Sequence, residues 1–282
     1  MSAAVKNTLQ ALVIKNQWLG KDKIKINRLE ALLNEALIHA GADGIKLISQ
    51  LIERFVYISN DEYDDFIMIM ADFLLNNFDL RKSILCATTA DRNKDSAQLI
   101  LYDTVSALAL LGAVKVKNIN RYDVAQKAFK DDPSLEQIIL IDEFVGTGKS
   151  ILGRARRLKQ IFTQSKQKIP PIHFIGLAGM HHGLRKIEEQ LDSVNICISL
   201  QKGIQSFSEE NNHANDYAVM DKLENTLSNI FEDIALPNYG YDQSEALYSR
   251  KGGSCPNNVF PIFWWPELKN TMRRSPLFPR AM

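Results

Sequence analysis

The sequence predicts an α/β fold: a mostly parallel sheet flanked by helices, with a helical N-terminal region before it and a C-terminal hood after it. Three observations lead there. Between Ser83 and Leu200, short apolar runs and helical patterns follow one another as β-α-β-loop-β-α-β-α-β, and such alternation implies parallel strands with helices on both faces. Two of the runs, Ile138–Ile141 and, apart from His173, Ile172–Gly179, are apolar, as strands inside a sheet are. One of them leads straight into two acids, a turn with two glycines and a helix, I-I-L-I-D-E-F-V-G-T-G-K-S over 138–150. Ligands of such sheets sit beyond the carboxyl ends of the strands, where this stretch would lie.

The 282 residues are near the upper size of one domain, and the predicted regions are 1–80 (helical), 81–203 (α/β core) and 204–282 (hood and tail). Residues 1–25 are mixed, and Trp18 is expected to pack. Asn27–Ala40 carries Leu29, Leu32, Leu33, Ala36 and Leu37 on one helical face, and Gly41–Gly44 breaks it. Ile48, Leu51, Ile52 and Phe55 mark a second helix. Asn60 or Asp61 caps a third, whose face is Phe66, Met70, Phe73 and Leu74. These stripes are read first as core and second as a surface for a protein partner.

The core opens with a strand at Ser83–Thr88, a polar loop at 91–96 and a helix at Ala97–Leu111. The next strand is expected at Ala113–Val116. Asn118–Gln137 is long and polar, and long connections of this kind are often functional. The helix after the central turn has Ile151, Leu152, Ala155, Leu158, Ile161 and Phe162 on one side; Arg154, Arg156, Arg157 and Lys159 are read as its solvated face. Beyond Pro170-Pro171 come the strand Ile172–Gly179, a helix from Gly183 to Leu191 and an alternating strand Val194–Leu200. In the tail, Ser206–Asp216 is expected as loop and Val219–Ala235 as an amphipathic helix. Tyr248–Pro266 is rich in Gly, Pro and Asn, then in aromatics.

The net charge of +1 does not indicate nucleic acid or an anionic membrane as partner. The N-terminus has no apolar signal core, and no stretch reaches the ~20 apolar residues of a membrane span. Cys86, Cys197 and Cys255 form no CxxC pair and read as reduced thiols of a cytoplasmic protein.

Three readings of 138–150 compete. Gly148-Lys149-Ser150 ends like a phosphate-binding P-loop, but that motif needs glycine where Glu143 stands, and a carboxylate there would face the phosphates. A strand–turn–helix carrying acids by chance is the second. Adjacent carboxylates at a buried strand end are costly without a partner or solvent. The third is a phosphate site: backbone N–H groups of the turn and helix start hold an anion, and Asp142 and Glu143 face a sugar diol or a metal ion.

The stretch resembles the phosphoribosyl diphosphate (PRPP) motif of type I phosphoribosyltransferases: apolar strand Ile138–Ile141, acids Asp142-Glu143, then Phe144-Val145-Gly146 and Thr147-Gly148-Lys149-Ser150. The resemblance covers roughly 83–200. It implies that Asp142 and Glu143 are the catalytic acids and that Phe144, Val145, Gly146, Thr147, Gly148, Lys149 and Ser150 wrap the 5′-phosphate. It implies Mg²⁺ held mainly by pyrophosphate, ribose oxygens and water, and no protein metal cage. It also implies a pyrophosphate loop at Thr88–Ser96, with Arg92 and Lys94 adding charge. A lid would fall in Asn118–Gln137, with Lys117, Arg121 and Tyr122 as contacts. In the hood, Trp264 and Trp265 would stack on a base and Asn257 and Asn258 read its edge, against the plainer reading of a packed Trp cluster. His181-His182 read as surface histidines near a base. The tail C-P-N-N-V-F-P-I-F-W-W (255–265) resembles a bacterial branch assigned to anti-phage conflict systems. The implied function is Mg²⁺-dependent transfer from PRPP or a 5′-phosphoribosyl nucleotide. A non-catalytic nucleotide or PRPP sensor, or partner-binding protein, is the alternative, and a P-loop NTPase the third.

Overall fold

A computed structural model describes residues 2–20, 22–89, 96–113, 115–207 and 210–281. In chain order its elements begin with α1 (Ala3–Lys15), α2 (Gln17–Gly20), α3 (Lys23–Glu53), β1 (Val56–Ile58) and α4 (Asn60–Asn77). There follow β2 (Ser83–Ala87), α5 (Ser96–Leu110), β3 (Lys117–Ile119), α6 (Ala125–Asp131) and β4 (Gln137–Val145). Next are α7 (Lys149–Gln164), β5 (Ile172–Met180), α8 (His181–Glu188) and β6 (Ser193–Leu200). The last are α9 (Glu210–Glu224), β7 (Ile230–Phe231), β8 (Ile234–Ala235) and β9 (Tyr248–Arg250). The chain divides into two compact units, residues 61–200 and residues 1–60 with 201–282.

The unit 61–200 holds a five-stranded, wholly parallel sheet in the order β3-β2-β4-β5-β6. The central strand β4 is buried along almost its whole length, which is why it reads as an unbroken apolar run. Alternate residues serve opposite faces. Ile84, Cys86, Ile138, Leu140, Ile172 and Phe174 share a cluster with Ile151, Ala155, Leu158 and Phe162 of α7 and with Leu184 and Ile187 of α8. Leu85, Ile139, Ile141 and Ile175, one residue out of step, are buried on the other face, where α5 packs on β2 and β4.

Two expectations for this unit shift. The strand predicted at 113–116 forms at Lys117–Ile119, because Lys115 takes a positive φ of 58° that no strand accommodates. The connection 118–137 is not all loop: a 3₁₀ turn at Tyr122–Val124 and helix α6 place Tyr122 and Ala125 in the core, and Leu135 joins them from the segment after α6.

In the other unit, α1 fills part of the segment read as mixed, and Trp18 packs on Tyr57, Phe55 and Phe278, with the stacked Tyr57 ring 5.0 Å away. α3 breaks at Gly41 (φ 64°), inside the predicted break. β1 pairs in parallel with β9, Val56 opposite Tyr248, joining the two ends of the chain. Arg274 ties the tail down by donating to Glu35 Oε2 at 2.7 Å and to the carbonyls of Ile262 and Trp265. The expected helix 219–235 is a correction. α9 runs instead over 210–224, taking in part of the expected loop, and 230–235 is a hairpin. Glu232 and Asp233 both have positive φ (46° and 63°), the geometry of a two-residue hairpin turn. Leu223, Leu227 and Ile230, spaced four and then three residues apart, imitate a helix face, yet Ile230 is exposed.

Candidate functional site

β4 outruns β2. The β2–β4 register ends with Ala87 opposite Ile141, whereas β4 continues to Val145, paired on its other side with β5 up to Val145 opposite Gly179. After β2 the chain turns outward to β3 and then returns to β4 on the opposite side of β2. The gap between β2 and β4 is therefore the sheet's topological switch point, where ligands of open α/β sheets bind. Asp142 and Glu143 stand on that overhang, inside the strand rather than after it. Both are buried.

Because strand residues alternate, the two carboxylates leave β4 in opposite directions. Asp142 follows Leu140 towards α7. Its Oδ2 accepts the hydroxyl of Thr88, the residue after β2, and lies 3.3 Å from Arg154 Nη1 of α7. Its Oδ1 accepts the Glu143 N–H at 2.8 Å. Glu143 follows Ile141 towards the α5 side. Arg154, expected on the solvated face, thus reaches the site. It stands three residues after Ile151 and four before Leu158, flanking the buried stripe of α7, while Arg156 and Arg157 are exposed. The helical wheel carries that signal. Thr88 is legible only once β2 and β4 are in register.

The turn is three residues long. Gly146 to Gly148 link β4 to α7, and Gly148 (φ 76°) is the N-cap, a left-handed position suited to glycine. It offers no capping side chain, and Thr147 Oγ1 accepts the Lys149 N–H at 3.4 Å. The start of α7, with its N–H groups and positive dipole end, therefore opens directly beside the acids, an arrangement that suits a phosphate. Thr147 is buried, Phe144 and Gly146 are half-buried, and Lys149 and Ser150 are exposed. The turn rests on the first turn of α8. A Cβ on Gly148 would stand 2.7 Å from Gly183 O, and one on Gly183 only 2.0 Å from Gly146 O. Nothing in the sequence marks Gly183 for this.

Of the pyrophosphate loop expected at Thr88–Ser96, residues 90–95, with Arg92 and Lys94, lie outside the described residues. Thr88 and Thr89 lead into them. The Thr88 N–H donates to Ile141 O at 3.2 Å, and Thr89 O accepts the Tyr122 N–H at 3.3 Å. Of the expected lid contacts, Tyr122 is buried in the core, Lys117 pairs with Asp132, and Arg121 forks onto Asp123 at 3.0 and 2.5 Å. Trp264 and Trp265 are fully buried, donating to Val259 O (2.8 Å) and Ser228 Oγ (2.9 Å), so the packing reading holds for both. Asn258 is likewise spent on Ser244 Oγ at 2.8 Å. His181 is exposed and His182 half-buried at the start of α8. Among the described residues, no group of three or more His, Cys, Asp and Glu is placed to hold a metal.

The profile of the PRTase-CE family matches residues 40–280. The chain belongs to the PRTase-CE family. The match spans both compact units. Among solved structures it is similar to the Helicobacter pylori xanthine-guanine-hypoxanthine phosphoribosyltransferase, at 10% identity and TM-score 0.32, over 51% of this chain and 89% of that one. It is also similar to the Schistosoma mansoni hypoxanthine-guanine phosphoribosyltransferase in complex with IMP, at 15% identity and TM-score 0.32, over 50% and 65%. A hypothetical protein from Neisseria gonorrhoeae with bound ppGpp aligns at 11% identity and TM-score 0.33, over 57% and 95%. No curated protein matches the chain.

Proposed function

We propose that the protein binds PRPP or another 5′-phosphoribosyl nucleotide at Asp142–Ser150 and transfers the phosphoribosyl group. The observation that carries this reading is the overhang of β4 at the switch point, with carboxylates directly ahead of a glycine turn that opens a helix. The turn Gly146–Gly148 and the N–H groups of Lys149 and Ser150 would hold the 5′-phosphate, with the Thr147 and Ser150 hydroxyls beside them. The ribose would lie over the acids. As the bond to the leaving group breaks, positive charge grows on the ribose ring, and a nearby carboxylate stabilises it. Two carboxylates pointing to opposite faces are too few ligands for a Mg²⁺ cage, which fits an ion carried by the substrate's own oxygens and water. Such an ion would neutralise charge on departing pyrophosphate.

A second reading, a nucleotide sensor that binds without transfer, is favoured by the engagement of Asp142 with Arg154 and Thr88. A ligand that binds only the folded protein raises Tm. PRPP with Mg²⁺ is expected to do so and ATP with Mg²⁺ is not; the reverse would sink the reading in favour of a nucleotide triphosphatase. PRPP consumption with a nucleobase, nucleotide or protein acceptor then separates enzyme from sensor. We extend the proposal to a cytoplasmic role in anti-phage defence, on the 255–265 motif, with a protein partner met through the N-terminal helices or the tail. Equal plaque counts with the wild-type gene and a Glu143→Ala variant would remove that role. Among the described residues no helix is long and apolar enough to cross a membrane.

A further inference from the structure

The two edges of the parallel sheet are built differently. β3, at one edge, is three residues long and carries Lys117, which pairs with Asp132. A short, charged edge resists pairing with another chain. β6, at the other edge, has eight residues, Ser193-Val-Asn-Ile-Cys-Ile-Ser-Leu200, with no charge, proline or glycine among them. It follows β5 from Ser193 opposite His173 to Leu200 opposite Met180 without a bulge. Residues 194–198 are half-buried, whereas β5 is buried beyond His173. Among the described residues, the backbone of 194–200 hydrogen-bonds to β5 and to nothing else. A long, flat, uncharged edge of this kind is a ready surface for another strand.

We propose that β6 is an interface between two copies of this chain, paired antiparallel with the β6 of the second copy across a two-fold axis normal to the sheet. The pattern of the strand points to its own copy as the occupant. Such an axis keeps each face of the sheet on its own side, so residues set opposite each other are both even-numbered or both odd-numbered. The even positions are Val194, Ile196, Ile198 and Leu200, of which Val194 and Ile196 pack on the core shared with α7 and α8. The odd positions are Ser193, Asn195, Cys197 and Ser199. Centred on Ile196, the pairing sets Val194 against Ile198 and Asn195 against Cys197. Centred on Cys197, it sets Ile196 against Ile198 and Asn195 against Ser199. In both registers apolar side chains meet on one face, small polar ones meet on the other, and no like charges are opposed. The contact is isologous, so it closes at two copies and removes the open β6 edge of each.

Sedimentation of the full chain over a range of concentrations is the test. The wild type is expected to form a dimer, and the amides of 194–200 to exchange more slowly in concentrated than in dilute protein. Cys197 stands opposite its own copy in one register and diagonal to it, about 7–8 Å away, in the other. Cys197→Lys therefore brings two like charges together and should raise the dimer dissociation constant about tenfold or more, and Cys197→Glu should do the same. An equimolar mixture of the two variants should dimerise again, a rescue that only contact between copies at this strand produces. Where the charged variants do not fold, by far-UV circular dichroism, the exchange measurement on the wild type decides: slowing with concentration supports the pairing, and its absence overturns it. A wild type that stays monomeric at high micromolar concentration overturns the proposal and leaves β6 to a strand of another protein. A dimer whose dissociation constant ignores both charged variants overturns it too, by placing the interface elsewhere.

Discussion

Gly183→Ala is a test in which local and tertiary reasoning predict opposite signs. Gly183 is the third residue of α8, and alanine there would ordinarily favour the helix by about 0.8–1.0 kcal/mol. The tertiary contact reverses this. A Cβ at 183 would stand 2.0 Å from Gly146 O and 3.0 Å from the carbonyl carbons of Gly146 and Thr147, all backbone atoms. Restoring an ordinary contact requires the turn and α8 to part by roughly 1.4 Å, and forced shifts of this size in packed interiors cost about 1–3 kcal/mol. The net expectation is destabilisation of up to about 2 kcal/mol, read as a lower urea midpoint at unchanged slope. The function should suffer more than the fold, because displacing a positioned group by about 1 Å can cost on the order of a hundredfold in a rate. The assays are urea unfolding and titration with ribose 5-phosphate. A variant as stable as the wild type, with its sugar-phosphate affinity intact, would refute the close approach of the turn to α8.

Gly148→Val places a β-branched residue at φ 76° with its Cβ 2.7 Å from Gly183 O; sugar-phosphate binding should be lost while far-UV circular dichroism is kept, and retained binding would show that the turn does not hold the phosphate. Trp265→Ala removes a fully buried indole and its bond to Ser228, at a cost of about 3–5 kcal/mol in urea unfolding; a base-stacking role would instead leave stability unchanged and reduce ligand affinity. Glu224, buried at the end of α9, has its carboxyl pushed up to about 8 by burial, against the Tyr239 N–H that lowers it and with Asp221 adding to the rise. A raised folded-state value means the folded protein binds the proton more tightly. The contribution is therefore fully present below the unfolded value of 4.5 and is lost as pH rises through about 8. The urea midpoint should fall across that window and Glu224→Gln should flatten the fall; an unchanged slope in the variant would show that another group titrates.

The parallel α/β architecture, the break at Gly41, the central strand–turn–helix and the chemistry its residues offer are legible from the residues alone. These are local properties. An unbroken apolar run requires burial on both faces, a 3.6-residue stripe requires a helix, and a glycine pair after acids requires a turn. What depends on pairing distant segments emerges in the folded chain. The overhang of β4 past β2 exists only once Ala87 stands opposite Ile141, and Asp142 and Glu143 take opposite directions because β4 runs on through them, paired with β5. Arg154 reads as one of several solvated cations until α7 is laid on the sheet, and Gly183 has no local signature at all. The hairpin 230–235 escaped for a related reason: four-residue spacing of apolar residues fits a helix as well as two short strands, and the choice was made by the positive φ of Glu232 and Asp233 and the burial of Phe231 near Trp265.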